Sequence, residues 1–325
     1  MLGAMDAPVA GRDYPRTLRE FNAWFPDEVA CLDYLARLRW PGGFACPVCS
    51  ASRFWRMSKG RNLRCAGCRA DASITAGTIF ADTRLPLATW FAAAWYATGT
   101  KHGVSALSLQ RVLGLGSYEA AWALLHKLRR AMVRPGRDRL AGEVEADETY
   151  VGGVATGKRG RGAAKKAIVE VAVEKRGAGM GRCRLVRIPD ISGESLLAAI
   201  EESVEPGAVL YTDHYSGYNG LAAGGYIHYP TAISSSGDPA HVVMPRVHRI
   251  AALLKRWLLG THQGAVRPQH LDYYLDEFTF RFNRRGSNHR GLLFYRLLEQ
   301  AIQLDHVPIT TIAARRSSSH LAQGA

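Results

Sequence analysis

The sequence predicts an α/β protein whose main sheet follows a four-cysteine module and a run of helices. Three observations carry that expectation. Two Cys-x-x-Cys pairs are separated by fifteen residues, apolar residues recur at helical spacing over 84–135, and three strand-like runs follow from Glu143. A length of 325 residues, at about 150 residues per domain, leaves room for two or more folding units. Lys and Arg total 42 against 28 Asp and Glu, a formal charge of +14. With 47% hydrophobic and only 22% charged residues, the chain packs rather than behaving as a polybasic tail. The surplus charge therefore decorates a folded surface that attracts polyanions, nucleic acid first and anionic membrane second.

A membrane span needs roughly 20 apolar residues. The most apolar run, 87–97, is shorter and sits between Arg84 and Lys101, and the N-terminus lacks the apolar core of a signal peptide. A cytoplasmic protein is expected. In that compartment six cysteines point to metal rather than to disulfides.

Taken in order, residues 1–24 read as a disordered N-terminus. Residues 27–40 carry apolar residues at helical spacing behind a capping Asp27, and Pro41-Gly42-Gly43 stops the helix. Cys46, Cys49, Cys65 and Cys68 follow as C-x2-C-x15-C-x2-C, the spacing of a structural zinc site in which each pair turns two thiolates toward one tetrahedral ion. Cys31 and Cys183 read as small core residues. Arg53, Arg56, Lys59, Arg61, Arg64 and Arg69 are interleaved with Phe54 and Trp55, which suggests contact with DNA, a purely solvated basic face being the alternative. Helices are expected at 86–98, 104–113 and 117–132. The last two are joined by Gly114-Leu115-Gly116 and have the lengths of a helix-turn-helix, with Lys127, Arg129 and Arg130 at the end of the second. A helical hairpin packed on a neighbour fits them as well.

From Glu143 the order is three strands, a helix at 193–204, a strand at 208–212 and helices near 246–259 and 268–283. That is the order of a ribonuclease-H-like fold. Glu145, Asp147 and Glu148 lie on the first strand, where alternation puts Glu145 and Asp147 on one face and Glu148 on the other. Acids in an apolar strand are costly unless paired or bound to a cation. Asp213 ends the fourth strand, so in that fold it meets Asp147, and the two can hold hard divalent cations. Between Asp213 and Asp272 the one acid is Asp238. His248 and Lys255, seven residues apart on the following helix, point the same way. The basic turn from Lys158 to Lys166 is placed to grip a phosphate backbone.

These residues resemble a known family: insertion-sequence transposases of the ISXO-like group, with an N-terminal zinc ribbon and a DDE-type ribonuclease-H-like domain. The markers are the paired Cys-x-x-Cys, Ala76-Gly-Thr-Ile-Phe80, Glu145-Ala-Asp-Glu-Thr-Tyr-Val-Gly-Gly153 and Thr212-Asp-His-Tyr-Ser-Gly-Tyr-Asn-Gly220. Leu254-Lys-Arg-Trp-Leu-Leu-Gly-Thr-His-Gln-Gly264 and Glu277-Phe-Thr-Phe-Arg-Phe-Asn-Arg-Arg285 complete them. The resemblance implies that Asp147 and Asp213 are the first two catalytic acids and that Lys255 is the basic residue after the third position. That position, usually Glu or Asn, is His248 here, an imidazole better suited to Mn than to Mg.

The implied organisation is a disordered N-terminus (1–24), a helix with the zinc ribbon (25–82), a helix-turn-helix-like segment (83–138), the ribonuclease-H-like domain (139–305) and a disordered tail (306–325). The implied cofactors are one structural zinc and two catalytic Mg or Mn ions, held by Asp147, Asp213 and His248. The implied partners are terminal inverted repeats and target DNA, met by a homodimer or larger assembly. Expected DNA contacts are Arg64, Lys127, Arg129, Arg130, Lys158, Arg159, Arg161, Lys165, Lys166, Arg256, Arg281 and Arg284; Arg281, Asn283 and Arg284 either touch phosphate or brace the site. The alternative is a catalytically weakened or domesticated transposase that acts as a sequence-specific DNA-binding protein, because His248 is a poor third ligand; a ribonuclease-H-like nuclease or junction resolvase would leave the ribbon without a reason.

Overall fold

A computed structural model describes residues 7–58, 60–134, 136–152, 166–231, 240–264 and 266–314. The chain divides into two units, Met1–Arg134 with Gly286–Ala314, and Pro135–Arg285. In the first, helix α1 (Leu18–Trp24) starts at Thr17 and α2 (Glu28–Arg39) at Asp27, whose carboxylate accepts from Ala30 N at 2.9 Å as its position predicts. A small antiparallel sheet follows, β1 (Phe54–Arg56), β2 (Asn62–Cys65) and β3 (Asp71–Ser73), in the order β1-β2-β3. Three helices come next: α3 (Leu87–Gly99), α4 (Ala106–Leu113) and α5 (Tyr118–Arg130). Ser105 and Ser117 cap α4 and α5, and Gly114, left-handed at φ 62°, ends α4, a conformation that favours glycine.

The second unit is built on β4 (Glu143–Val151), β5 (Ala167–Arg176), β6 (Gly179–Ile188), β7 (Val209–Asp213) and β8 (Ile227–Thr231). The sheet order is β6-β5-β4-β7-β8: the first three strands pair antiparallel, and β7 and β8 extend the sheet in parallel. β8 was not expected. Its sequence, Ile-His-Tyr-Pro-Thr, carries the proline that an edge strand tolerates. Helix α6 (Gly193–Ser203) and a 3-10 turn at Ser216–Leu221 cover one face through Leu196, Ile200, Tyr218 and Leu221. Helices α7 (Ala240–Val243), α8 (Pro245–His262) and α9 (Leu271–Asn283) follow. α8 and α9 bury Ile250, Leu254, Leu271 and Phe278 against Val169, Val171 and Val173 on the other face. Alternation along β5 thus feeds two cores at once.

Two side chains fasten α9 to the edge strand β6. Asn283 accepts from Cys183 N at 2.8 Å and donates to Cys183 O at 3.0 Å, and Arg187 pairs with Asp272 at 2.9 Å. Edge-strand backbone groups need such partners.

Helices α10 (Arg290–Ala301) and α11 (Ile309–Ala313) return to the first unit, which corrects the expectation that 286–305 completes the sheet domain. The reason is an aromatic cluster. Phe294 of α10 lies 5.5 Å from Phe21, 5.8 Å from Phe91 and 5.6 Å from Trp95. The same cluster corrects the expected disorder of 1–24 over its described part, since Phe21 is buried in it and draws α1 into order, while residues 1–6 lie outside the described residues. In the tail, α11 is ordered, and residues 315–325 lie outside the described residues.

Candidate active site and metal centres

The two Cys-x-x-Cys turns fold alike. Ser50 N donates to Cys46 O and Arg69 N to Cys65 O, at 2.9 and 3.1 Å, while Cys46 N and Cys65 N donate to Ala51 O and Ala70 O. Ser50 and Arg69 occupy the same left-handed position after each pair, at φ 60° and 61°. Gly67 leaves room for the sulfurs, since a Cβ there would meet Ala51 at 3.3 Å and Cys49 Sγ at 3.6 Å. The four Sγ atoms all lie within 4.8 Å of one another, with Cys46 to Cys68 at 3.6 Å and Cys49 to Cys65 at 3.5 Å. A tetrahedron with Zn–S bonds of about 2.3 Å has an edge near 3.8 Å, so the donor set fits zinc. The Cys65 thiol is pulled down to about 6, first by the Cys68 backbone N–H. Cys68 is pushed up to about 12: the Ala70 N–H lowers it, but the crowding thiols outweigh that.

In the second unit β4 runs parallel to β7 with Glu145 opposite Tyr211. Two residues further along each strand, Asp147 and Asp213 therefore share one face of the sheet. Asp147 opposes Val171 on β5, and Val171 belongs to the core beneath α8. This is the face that α8 covers. His248, in the first turn of α8, places Nε2 4.0 Å from Asp147 Oδ2. Asp147 Oδ1 accepts from Glu148 N at 2.9 Å, and Asp213 Oδ1 accepts from Tyr215 N at 3.1 Å, so each carboxylate is oriented by local backbone.

Asp147, Thr149, Tyr150, Lys166, His248 and Lys255 line a cavity of about 340 Å³. Burial of its ammonium and the charge of Lys166 hold the Lys255 pKa below the usual lysine value, against the opposing pull of Asp147. Oxygen donors with one imidazole nitrogen suit a hard or borderline divalent cation. Among the described residues, however, the cysteines are the one set with three or more such ligand atoms mutually within 4.8 Å. The aspartates and His248 are brought to one face, not into that tight a cluster. Asp238 lies outside the described residues.

On the opposite face, Glu148 stands across from Glu170. Tyr218 Oη lies 3.0 Å from Glu170 Oε2 and 3.3 Å from Glu148 Oε2. Glu170 is 1% exposed, and its Oε1 has no hydrogen-bond partner among the described residues. Burial, then the charge of Asp147, pushes its pKa well above the carboxylate range, against the Tyr218 hydrogen bond. The sequence signal for this buried acid was its place in the apolar run of β5.

The sign of its pH effect follows. The unfolded chain ionises Glu170 near 4.3, whereas the folded chain keeps it neutral, so its contribution is complete below that value and declines as pH rises toward the folded pKa. Glu170→Gln removes the dependence. The variant is expected to lose less melting temperature than the parent between pH 5 and pH 8, each kcal/mol amounting to about 2–4 °C. Equal slopes in thermal melts of the two proteins would contradict a neutral Glu170.

The expected DNA contacts divide. Lys158, Arg159, Arg161 and Lys165 lie outside the described residues. Lys166 lines the cavity, and Arg256 is exposed on α8. Arg64 pairs with Asp71 at 2.6 and 2.8 Å across β2 and β3. Lys127 is half-buried, 5.8 Å from the Trp90 ring centroid, and Arg130 donates to Asp305 O at 3.3 Å. Arg129 is a correction: at 2% exposure it is packed inside beside His126 and offers no surface to phosphate. Arg281 is likewise drawn inward, 2.8 Å from the buried Glu277, and Arg284 lies over Phe280 at 4.1 Å. With Asn283, they brace α9.

Residues 139–283 match the family model described as an ISXO2-like transposase domain, and residues 26–71 match a transposase zinc-ribbon domain. The chain is also similar to an uncharacterized protein in transposable element ISH50 of Halobacterium salinarum. That relative is 25% identical over 279 residues, 79% of this chain and 91% of the relative.

Proposed function

We propose, for a chain that belongs to the zinc-ribbon, ISXO2-like transposase family, that it binds the terminal inverted repeats of an insertion sequence and catalyses metal-dependent strand cleavage and strand transfer. The observation that carries this reading is Asp147 and Asp213 on one sheet face, with His248 4.0 Å from Asp147. The strand order β6-β5-β4-β7-β8 supports a ribonuclease-H-like domain. Asp147, Asp213 and His248 would hold divalent cations, which when bound activate water or a 3′-hydroxyl for in-line attack and neutralise the leaving oxygen.

The chain's own residues supply the rest. Lys166 and Lys255 line the cavity as cations for DNA phosphates. Asp147 keeps its carboxylate aimed by accepting from Glu148 N. His248 removes one negative charge relative to a carboxylate, which favours Mn over Mg. The four cysteines hold a structural zinc. Ser117-capped α5 supports a helix-turn-helix: Tyr118 and Glu119 in its first turn are exposed, and a groove-entering helix makes base contacts from that end. Joining two element ends calls for a dimer or larger assembly, working in the cytoplasm.

A second reading, a DNA-binding protein without chemistry, is favoured by His248 in a carboxylate's place and by Asp147, Asp213 and His248 not forming a set whose ligand atoms all lie within 4.8 Å of one another. One assay decides. Incubated with supercoiled plasmid carrying the flanking inverted repeats, the protein is expected to nick and linearise it with Mn at least as fast as with Mg. Tight, repeat-specific binding without nicking in either metal would establish the second reading instead.

A further inference from the structure

We infer that Glu145 is a positioning residue that fixes the first turn of α8 against β4 and so sets the reach of His248 toward Asp147. The inference rests on the strand-cleavage reading above. Helix α8 starts without a cap of its own: Met244 at the N-cap position makes no side-chain hydrogen bond, and Pro245 follows. The next N–H groups would be orphans. Glu145 Oε2, from the neighbouring strand, accepts from both, Arg246 N at 2.8 Å and Val247 N at 3.2 Å. A carboxylate at this end is also favoured by the helix dipole.

The other oxygen completes a clamp. Arg246 Nη1 donates to Glu145 Oε1 at 2.6 Å, Nε to Gly179 O at 2.9 Å and Nη2 to Gly177 O at 2.7 Å. The helix start is thereby tied to β4 and to the turn between β5 and β6. Glu145 is 3% exposed, and both its oxygens are occupied, which argues against a role as a metal ligand. The Arg246 nitrogens are occupied too, which argues against a phosphate contact.

The geometry makes the clamp more than packing. Glu145 and Asp147 lie two residues apart on one face of β4, and Arg246 and His248 two residues apart in one turn of α8. The anchoring pair thus sits one step from the working pair on each element. Metal–ligand distances tolerate only about 0.2 Å, so a loosened helix start moves His248 out of range.

The test uses the full-length, zinc-loaded chain with Glu145→Ala, which removes the cap, and Glu145→Gln, which keeps one acceptor oxygen without charge. Mn affinity is measured by calorimetry, nicking kinetics on repeat-bearing plasmid, and amide exchange across residues 245–251. In Glu145→Ala, Mn affinity and kcat are expected to fall about 10–100-fold, the range for lost outer-shell partners. KM for DNA should stay within twofold, and Glu145→Gln should fall between Ala and the parent. Exchange at Arg246 and Val247 should rise in Ala and stay slower in Gln. Both variants within twofold of the parent in Mn affinity and kcat, or a loss shared equally by KM, would overturn the inference. If Ala does not fold, an unchanged Glu145→Gln alone overturns it. A parent that neither binds Mn nor nicks DNA defeats the strand-cleavage reading instead, and the exchange data then still decide whether Glu145 fixes the helix start.

Discussion

Replacing Asp147 by Asn is expected to reduce strand cleavage by about a thousandfold or more, while affinity for repeat DNA changes by no more than a few-fold. Asn fills the same volume, and its Oδ1 can still accept from Glu148 N, as Asp147 does at 2.9 Å, so the strand should keep its course. What disappears is the negative charge 4.0 Å from His248 Nε2, on the face where a divalent cation would sit. A thousandfold loss corresponds to about 4 kcal/mol of transition-state stabilisation, within reach of one ligand at a metal-dependent centre. Asp213→Asn should act alike, and the double variant should fall little further, because groups serving one centre are not additive. The measurement is nicking of repeat-bearing plasmid at saturating Mn beside gel-shift affinity. Cleavage within tenfold of the parent would remove Asp147 from the site, and parallel losses of cleavage and binding would point to misfolding.

The aspartates were legible because strand alternation and a strand end are local features. Asp147 and Asp213 needed only the expectation that the first and fourth strands are neighbours, and β4 and β7 do pair. The cysteine spacing was legible for the same reason. Partners distant in sequence were not. Glu145 was visible as an acid needing a partner, but Arg246, a hundred and one residues away, was indistinguishable from a surface arginine. Arg129 was misread because a basic residue at the end of a helix resembles a groove contact until packing turns it inward. Helix α1 was missed because its order comes from rings meeting across the unit, Phe21 against Phe294 at 5.5 Å, whereas α10 carried a legible helical pattern, Leu293, Phe294, Leu297, Leu298 and Ala301, that was left unread. The edge strand β8, five residues with a proline, was too short and too broken to stand out.

Removing zinc is expected to unfold the ribbon while leaving the sheet unit intact. Strands of three, four and three residues cannot hold themselves. Phe54 and Trp55 of β1 are about half exposed, with the Phe54 ring 4.9 Å from that of Phe44, and Leu63 and Ala72 are the buried apolar side chains that β2 and β3 add. A structural zinc in such a module is worth roughly 10–16 kcal/mol of apparent binding free energy at neutral pH, as much as the whole stability of a typical domain, about 5–15 kcal/mol. Elemental analysis should find one zinc per chain. A strong chelator, or Cys65→Ser, should abolish the near-ultraviolet signal of the ribbon aromatics and weaken repeat-DNA binding more than tenfold. Acid should do the same, since protons compete with the metal for thiolates, so release accelerates as pH falls. The Cys68 backbone N–H draws the Cys65 thiol down, which favours the thiolate that a metal needs. A zinc-free chain that keeps both the aromatic signal and its affinity for the repeats would mean that the cysteines do not hold this fold together.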